Sequence, residues 1–183
     1  MKELSLNILD ISENSVKAGA TLTEILIHED EENLTITIKD DGCGMTEEIL
    51  LSVTNPFYTT RTTRKVGLGI PLLKLAAEQT GGHITIESKK ADDVDKSHGT
   101  KISALFKKNH LDFTPLGDTV STVTTLIQGH PDTDFLYVHK TPRGEVTLDT
   151  REIKAVLEDV PINGYEIICW IEENLREQYS VLK

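Results

Sequence analysis

Two glycine-punctuated turns, Asp40-Asp41-Gly42-Cys43-Gly44-Met45 and Gly67-Leu68-Gly69-Ile70-Pro71, set the tightest limit on how this chain can fold. The first follows a run of alternating apolar residues, Leu34–Lys39, and precedes Thr46, which reads as the N-cap of a short helix with Glu47 and Glu48 in its first turn. The second opens a helical period that runs to about Gln79 and stops at Gly81-Gly82. Pro71 falls where a first helical turn tolerates it. A chain that passes twice through glycine into a helix, with strands before the first turn and after the second, builds both element types into one core.

The remaining pattern fills in that frame. Residues 2–18 read as a helix from the spacing of Leu4, Ile8, Ile11 and Ala18, with Gly19 as its stop. Strands are expected at Leu22–His28, Leu34–Lys39, His83–Ser88 and Thr100–Phe106. Residues 54–66 form a polar loop rich in Thr and Arg. Residues 109–115 read as a linker. Beyond it come a helix near 117–128, a hairpin around Pro142-Arg143-Gly144, and helices near 151–159 and 164–178. The expected organisation is an α+β, two-layer sandwich over 1–108, with helices on one face of a mixed sheet. A small acidic α/β region over 116–183 follows it.

Composition narrows the function. The net charge is −11, and it is uneven: residues 1–109 hold 13 basic and 17 acidic residues, residues 110–183 hold 6 and 13. That balance argues against a nucleic-acid or acidic-lipid surface. No apolar run is long enough to span a membrane, and the start of the chain has no secretory core, so the expectation is a cytoplasmic protein. Cys43 and Cys169 stand far apart, and the histidines show no paired metal spacing.

Three constellations carry chemistry. On the first helix Asn7, Asp10, Asn14 and Lys17 recur at steps of three and four, either as a solvated face or as a stripe aimed into a site. In the second reading Asp10 polarises an attacking group and Asn14 holds a hydrated magnesium ion, which takes few protein ligands. The DDGCGM turn is either an ordinary tight turn or a place where a flat ring approaches backbone while a carboxylate accepts from an exocyclic amine. The Gly67–Ile70 turn is either a flexible helix entry or a phosphate seat, because free N–H groups and the helix dipole favour anions. Upstream of it, Arg61, Arg64 and Lys65 are either a solvated loop or a cationic lid.

Taken together, these segments resemble the GHKL family of gyrase, Hsp90, histidine kinases and MutL. LDISENSVKAGAT resembles the family's N box, particularly its MutL and histidine-kinase forms, and DDGCGM its G1 box. NPFYTT resembles the F-box region, VGLGIPLLKLAAEQTGG the G2 box with its helix, and HGTKISALF the closing strand. The resemblance covers residues 1–107 in the family's order and implies a Bergerat-type site for ATP or ADP with magnesium. It implies that Asp40 bonds the adenine amino group, with Gly42, Gly44 and Met45 shaping the pocket and Thr100 supporting it through water. Asn14 would be the metal ligand and Lys17 a phosphate contact. The lid with Thr59, Thr60, Arg61, Arg64 and Lys65, and the turn Gly67, Leu68, Gly69 and Ile70, would surround the phosphates. Asp10 stands where ATPase members carry a glutamate base and many sensor kinases an asparagine or histidine; aspartate keeps the carboxylate with a shorter reach.

The N box begins almost at Met1, without an acceptor-histidine hairpin before it, so the expectation is a stand-alone, histidine-kinase-like protein kinase acting on a partner in signalling. An ATPase driving a conformational cycle and a non-catalytic nucleotide sensor of the anti-sigma kind are the other readings. The C-terminal stripes, Ile153, Val156 and Leu157 and then Ile167, Ile168, Ile171 and Leu175, predict packing into a core or a homodimer, with a partner-docking surface as the other reading. Trp170 is expected in the core, and His110, His130 and His139 at the surface or in caps.

Overall fold

The computed structural model describes residues 3–54, 68–92 and 97–182. Six helices and six strands alternate along them: α1 (Leu4–Lys17), β1 (Leu22–Glu29), β2 (Asn33–Asp40), α2 (Glu47–Thr54), α3 (Gly69–Gln79), β3 (His83–Lys89), β4 (Gly99–Lys107), α4 (Thr119–Gly129), β5 (Asp134–Thr141), β6 (Gly144–Asp149), α5 (Thr150–Leu157) and α6 (Tyr165–Val181). The strands form one sheet in the order β3-β4-β2-β1-β5-β6. Every pairing is antiparallel except β1 with β5, which runs parallel, so the sheet is mixed.

Strict alternation decides which side is covered. β1 and β2 bury every second residue: Ile25 and Ile27 on one, Leu34, Ile36 and Ile38 on the other. Ile102, Ala104 and Phe106 of β4 and Phe135 and Tyr137 of β5 continue the same apolar layer. Leu4, Ile8 and Ile11 of α1, Leu73 and Ala77 of α3, Val123 and Leu126 of α4, and Ile171 and Leu175 of α6 close over it. Burying a full Leu or Ile side chain contributes about 1.5–3 kcal/mol, so this single layer carries most of the stabilisation.

The stretch after residue 115 joins that same layer. β5 lies beside β1, and the N-terminus of α1 is held from there, Leu4 N–H donating to Pro115 O (2.9 Å) and Ser5 N–H to Leu116 O (2.8 Å). A buried polar chain fastens α4 and α6 to β5: Tyr137 donates to Thr119 Oγ1 at 2.8 Å, and the Tyr179 hydroxyl meets His139 Nδ1 at 2.7 Å. His139, expected at the surface, is only 4% exposed; it lies on the covered face of β5 and its Nε2 has no hydrogen-bond partner.

One expectation for α6 is corrected. Trp170 is 52% exposed rather than in the core, and Val156 is 83% exposed. The helices spend Ile171 and Leu175 on the sheet, and their second apolar edge stays outside. No helix among the described residues is long and apolar enough to cross a membrane.

Candidate functional site

The site is built along α1. At its C-terminal end the Asp40–Met45 turn closes onto the helix, and Cys43 N–H donates to Ala18 O at 2.9 Å. The approach is tight enough that a side-chain carbon on Gly42 would stand 2.9 Å from Ala18 Cβ. Eight residues earlier, the N-terminus of α3 presses on the same helix: a side-chain carbon on Gly69 would stand 3.1 Å from Asp10 Cβ. At 1.5 Å per residue the two contacts lie about 12 Å apart along α1. Asn14, half-buried, falls midway.

Asp40 ends β2 with its carboxylate fixed from three sides. Oδ2 accepts from the Ser15 hydroxyl at 2.7 Å, and Oδ1 accepts from Gly42 N–H at 3.0 Å and Thr100 N–H at 3.3 Å. Thr100 Oγ1 in turn meets Ser88 Oγ at 2.9 Å, and Ser88 accepts from Met45 N–H at 2.8 Å. His98 Nδ1 donates to Gly42 O at 2.6 Å. The far side of the turn is held by Ala91 N–H on Cys43 O at 2.9 Å. Gly44 sits at φ +66°, where an added side-chain carbon would fall 1.9 Å from Lys89 O. Backbone packed against Gly44 and the side chains of Asp40, Ser88 and His98 therefore shape the turn together.

Asp41, one residue on, does structural work. It accepts from Thr21 N–H (2.8 Å), Leu22 N–H (2.9 Å) and the Thr21 hydroxyl, tying the end of β2 to the start of β1. Burial opposes its charge, but the bonds from Leu22 and Thr21 outweigh that and hold its carboxyl below the usual value.

The second end of the site is a helix start. Leu68 precedes α3 without a side-chain cap, and no acidic residue stands in the first turn. Positive dipole and backbone N–H groups there favour an anion. Ile70 is buried and Leu68 is 71% exposed. Thr59, Thr60, Arg61, Arg64, Lys65 and Gly67, expected around the phosphates, lie outside the described residues.

The sequence-predicted residues thus fall into three groups. Asp40, Gly42, Gly44, Met45 and Thr100 converge on one turn, and Asp10, Gly69 and Ile70 on the other. Asn14 lies between them, and Lys17 is exposed at the last turn of α1. Asn7, read with the same polar stripe, is instead 1% exposed, and neither atom of its amide is paired. Ser15, Ser88, His98 and Asp41 escaped the sequence reading. Ser15 was the most findable, since it sits one step from Asn14 on the helix that already carried the site.

The residues fit a magnesium ion only in company. Among the described residues no three His, Cys, Asp or Glu side chains come together as a metal cage, while Asn14 has no hydrogen-bond partner for its amide. One amide ligand suits an ion whose remaining ligands are water and phosphate oxygens.

Comparison with known proteins identifies the family and the fold. Sporulation kinase E of Bacillus subtilis (strain 168) is 33% identical over 89 residues, 49% of this chain and 12% of its own. Sporulation kinase A of the same organism is 32% identical over 88 residues, 48% of this chain and 14% of its own. The chain thus spans about an eighth of these relatives' lengths. Among solved structures, the Aquifex aeolicus MutL ATPase domain complexed with ADP superposes with TM-score 0.54 and 14% identity, over 86% of this chain and 70% of that one. The topoisomerase IV ATP-binding domain of Francisella tularensis gives 0.53 and 18% identity, over 80% and 87%. Those two likenesses speak for the fold. The family described as "Histidine kinase-, DNA gyrase B-, and HSP90-like ATPase" matches residues 2–110, and with its motifs in place along α1, Asp40 and α3 the chain belongs to that family, the GHKL ATPases.

Proposed function

We propose that the cleft along α1 binds ATP with magnesium and that the protein passes the γ-phosphate to a partner protein, as a histidine-kinase-type protein kinase. The observation that carries this reading is the pair of contacts on one helix: Ala18 with Gly42 and Asp10 with Gly69, about 12 Å apart with Asn14 between them. An elongated ligand with a flat ring at one end and anionic groups at the other matches that spacing. Relatives that bear the name sporulation kinase match about half of this chain, and the MutL ATPase domain of the same fold is complexed with ADP.

Asp40 offers its remaining lone pairs to the adenine amino group, and Ser15, Gly42 and Thr100 keep the carboxylate from turning away. Gly44 and Met45 let the ring lie against backbone. At the other end, Gly69, Ile70 and the start of α3 face the phosphates. Lys17 is one cationic contact, with Arg61, Arg64 and Lys65 as further ones by residue type. Asn14 would hold the magnesium ion, which when bound neutralises charge on the transferring group. Asp10, exposed beside Gly69, accepts the proton of the attacking group as its bond to phosphorus forms, the bond to the bridging oxygen breaks, and ADP leaves.

The same exposed carboxylate favours a second reading, in which water is the acceptor and the protein is an ATPase. Terminally labelled ATP decides between them, with wild type beside Asp10→Ala, with and without cell extract. Label on a protein, lost in the variant, establishes the kinase. Free phosphate at steady turnover establishes the ATPase. Tight binding without either product overturns both and leaves a nucleotide-controlled binding module. Asp40→Asn puts an amide donor where acceptors are needed and should abolish binding; unchanged affinity would sink the site assignment.

A further inference from the structure

The C-terminal helices leave an apolar cleft open to solvent. Ile153, Val156 and Leu157 of α5 face Ile167 and Trp170 of α6 across a space of about 560 Å³, with Glu152 at its edge. Val160 and Tyr165, in the connection and at the start of α6, are 54% and 82% exposed. Folding accounts for only part of this surface: Ile153, Leu157 and Ile167 are half-buried and pack against the core, while Val156, Val160, Tyr165 and Trp170 stay exposed. A half-exposed tryptophan beside an exposed valine, over a cleft lined by isoleucine and leucine, has the make-up of an interaction hot spot.

The surrounding charge says what kind of chain would fill it. Glu152 lines the cleft, Glu166 and Glu173 stand one turn either side of Trp170 on α6, and Glu158 and Asp159 follow α5; all five are exposed and form no ion pair among the described residues. The two cations of α5 are spent elsewhere, Arg151 on Asp149 (2.7 Å) and Lys154 on Asp134 (2.8 Å). A second copy meeting this face through a two-fold axis would set the same carboxylates against one another. A segment with apolar side chains on one edge and lysines or arginines around them would meet both the cleft and its rim.

We propose that the cleft between α5 and α6 docks a basic amphipathic helical segment of a partner protein. Its apolar residues insert between Val156 and Trp170, and its cations pair with the rim carboxylates. α5 is tied by Lys154 to Asp134, whose N–H donates to Thr21 O (2.8 Å), and Thr21 is held by Asp41. The cleft is therefore anchored to the sheet end that also carries Asp40. The proposal stands independently of what the nucleotide site binds.

Trp170 is the only tryptophan and reports directly on occupancy. The probe is an amphipathic Leu/Lys peptide of about 16 residues, long enough to be helical, beside a scrambled peptide of the same composition. The expected result is a saturable blue shift of emission with the amphipathic peptide and at least tenfold weaker binding of the scrambled one. Val156→Asp, and separately Glu152→Lys with Glu166→Lys, should each weaken binding about tenfold or more, a loss of about 1.4 kcal/mol. The thermal unfolding midpoint, measured on the same samples, should stay at the wild-type value and rules out unfolding. Equal binding of both peptides, absence of a shift, or indifference to Val156→Asp overturns the proposal. A dimer in sedimentation that Val156→Asp dissolves assigns the face to a second copy and overturns it as well.

Discussion

The hydroxyl of Ser15 donates to Asp40 Oδ2 at 2.7 Å, across 25 positions of sequence, and so couples the first helix to the carboxylate that ends β2. The bond fixes which lone pairs of Asp40 remain for a ligand. A hydrogen bond to a charged group contributes about 1.5–3 kcal/mol, so Ser15→Ala should weaken nucleotide binding by roughly tenfold or more. Calorimetric titration with ATP checks this, and an unchanged dissociation constant would show that Asp40 orients without Ser15.

Gly44 and Gly19 make a controlled pair. Both have positive φ, +66° and +75°, but Gly19 has nothing within 4 Å of an added side-chain carbon, whereas at Gly44 that carbon would meet Lys89 O at 1.9 Å. Gly19→Ala should cost only the left-handed conformation, about 1–2 kcal/mol. Gly44→Ala should cost clearly more and lower the melting temperature by roughly 5 °C or more. Equal losses in thermal melts would mean that the turn moves away from Lys89 without penalty.

Asp41 predicts an acid limit. Its folded carboxyl is held below the ordinary 3.8 by the bonds from Leu22 and Thr21, which prevail over burial. The unfolded chain binds this proton more readily, so the stabilisation is fully present above pH 3.8 and is lost as pH falls through the folded value. In denaturant titrations Asp41→Asn should be less stable than wild type at neutral pH, with the gap narrowing below about pH 4. A gap that stays constant with pH removes Asp41 from the account.

His139 acts in a higher window. Burial pushes its folded value below 6.5, Lys108 adds to the shift and Glu29 opposes it. The neutral ring is the folded form, so its contribution is complete above pH 6.5 and declines as pH falls from there. Wild type should lose stability between about pH 6.5 and 5, and His139→Phe should flatten that part of the curve. Parallel curves for the two proteins would assign the slope to other groups.

Much of this was written in the sequence. Period-two alternation in Leu22–His28 and Leu34–Lys39, and the glycines that stop one helix and open another, are local properties, so the order of elements and the two glycine turns could be read directly. Asp10, Asn14 and Asp40 could be picked out as candidates for the same reason, because residue type and spacing along one helix or turn need no partner. Three things required the folded chain. Sequence cannot say which strands pair, since registry is decided by a shared apolar layer; that β5 lies parallel to β1, putting residues after 115 into the same sheet, emerges only there. Nor can it show which polar groups meet across a gap in the chain, such as Ser15 with Asp40 or His98 with Gly42. Last, the stripes of α5 and α6 read alike as core, homodimer face or docking surface, and only packing revealed that one edge is spent on the sheet while Val156 and Trp170 remain outside. A helix has more apolar circumference than one sheet can cover, and the tertiary fold decides which part is left over.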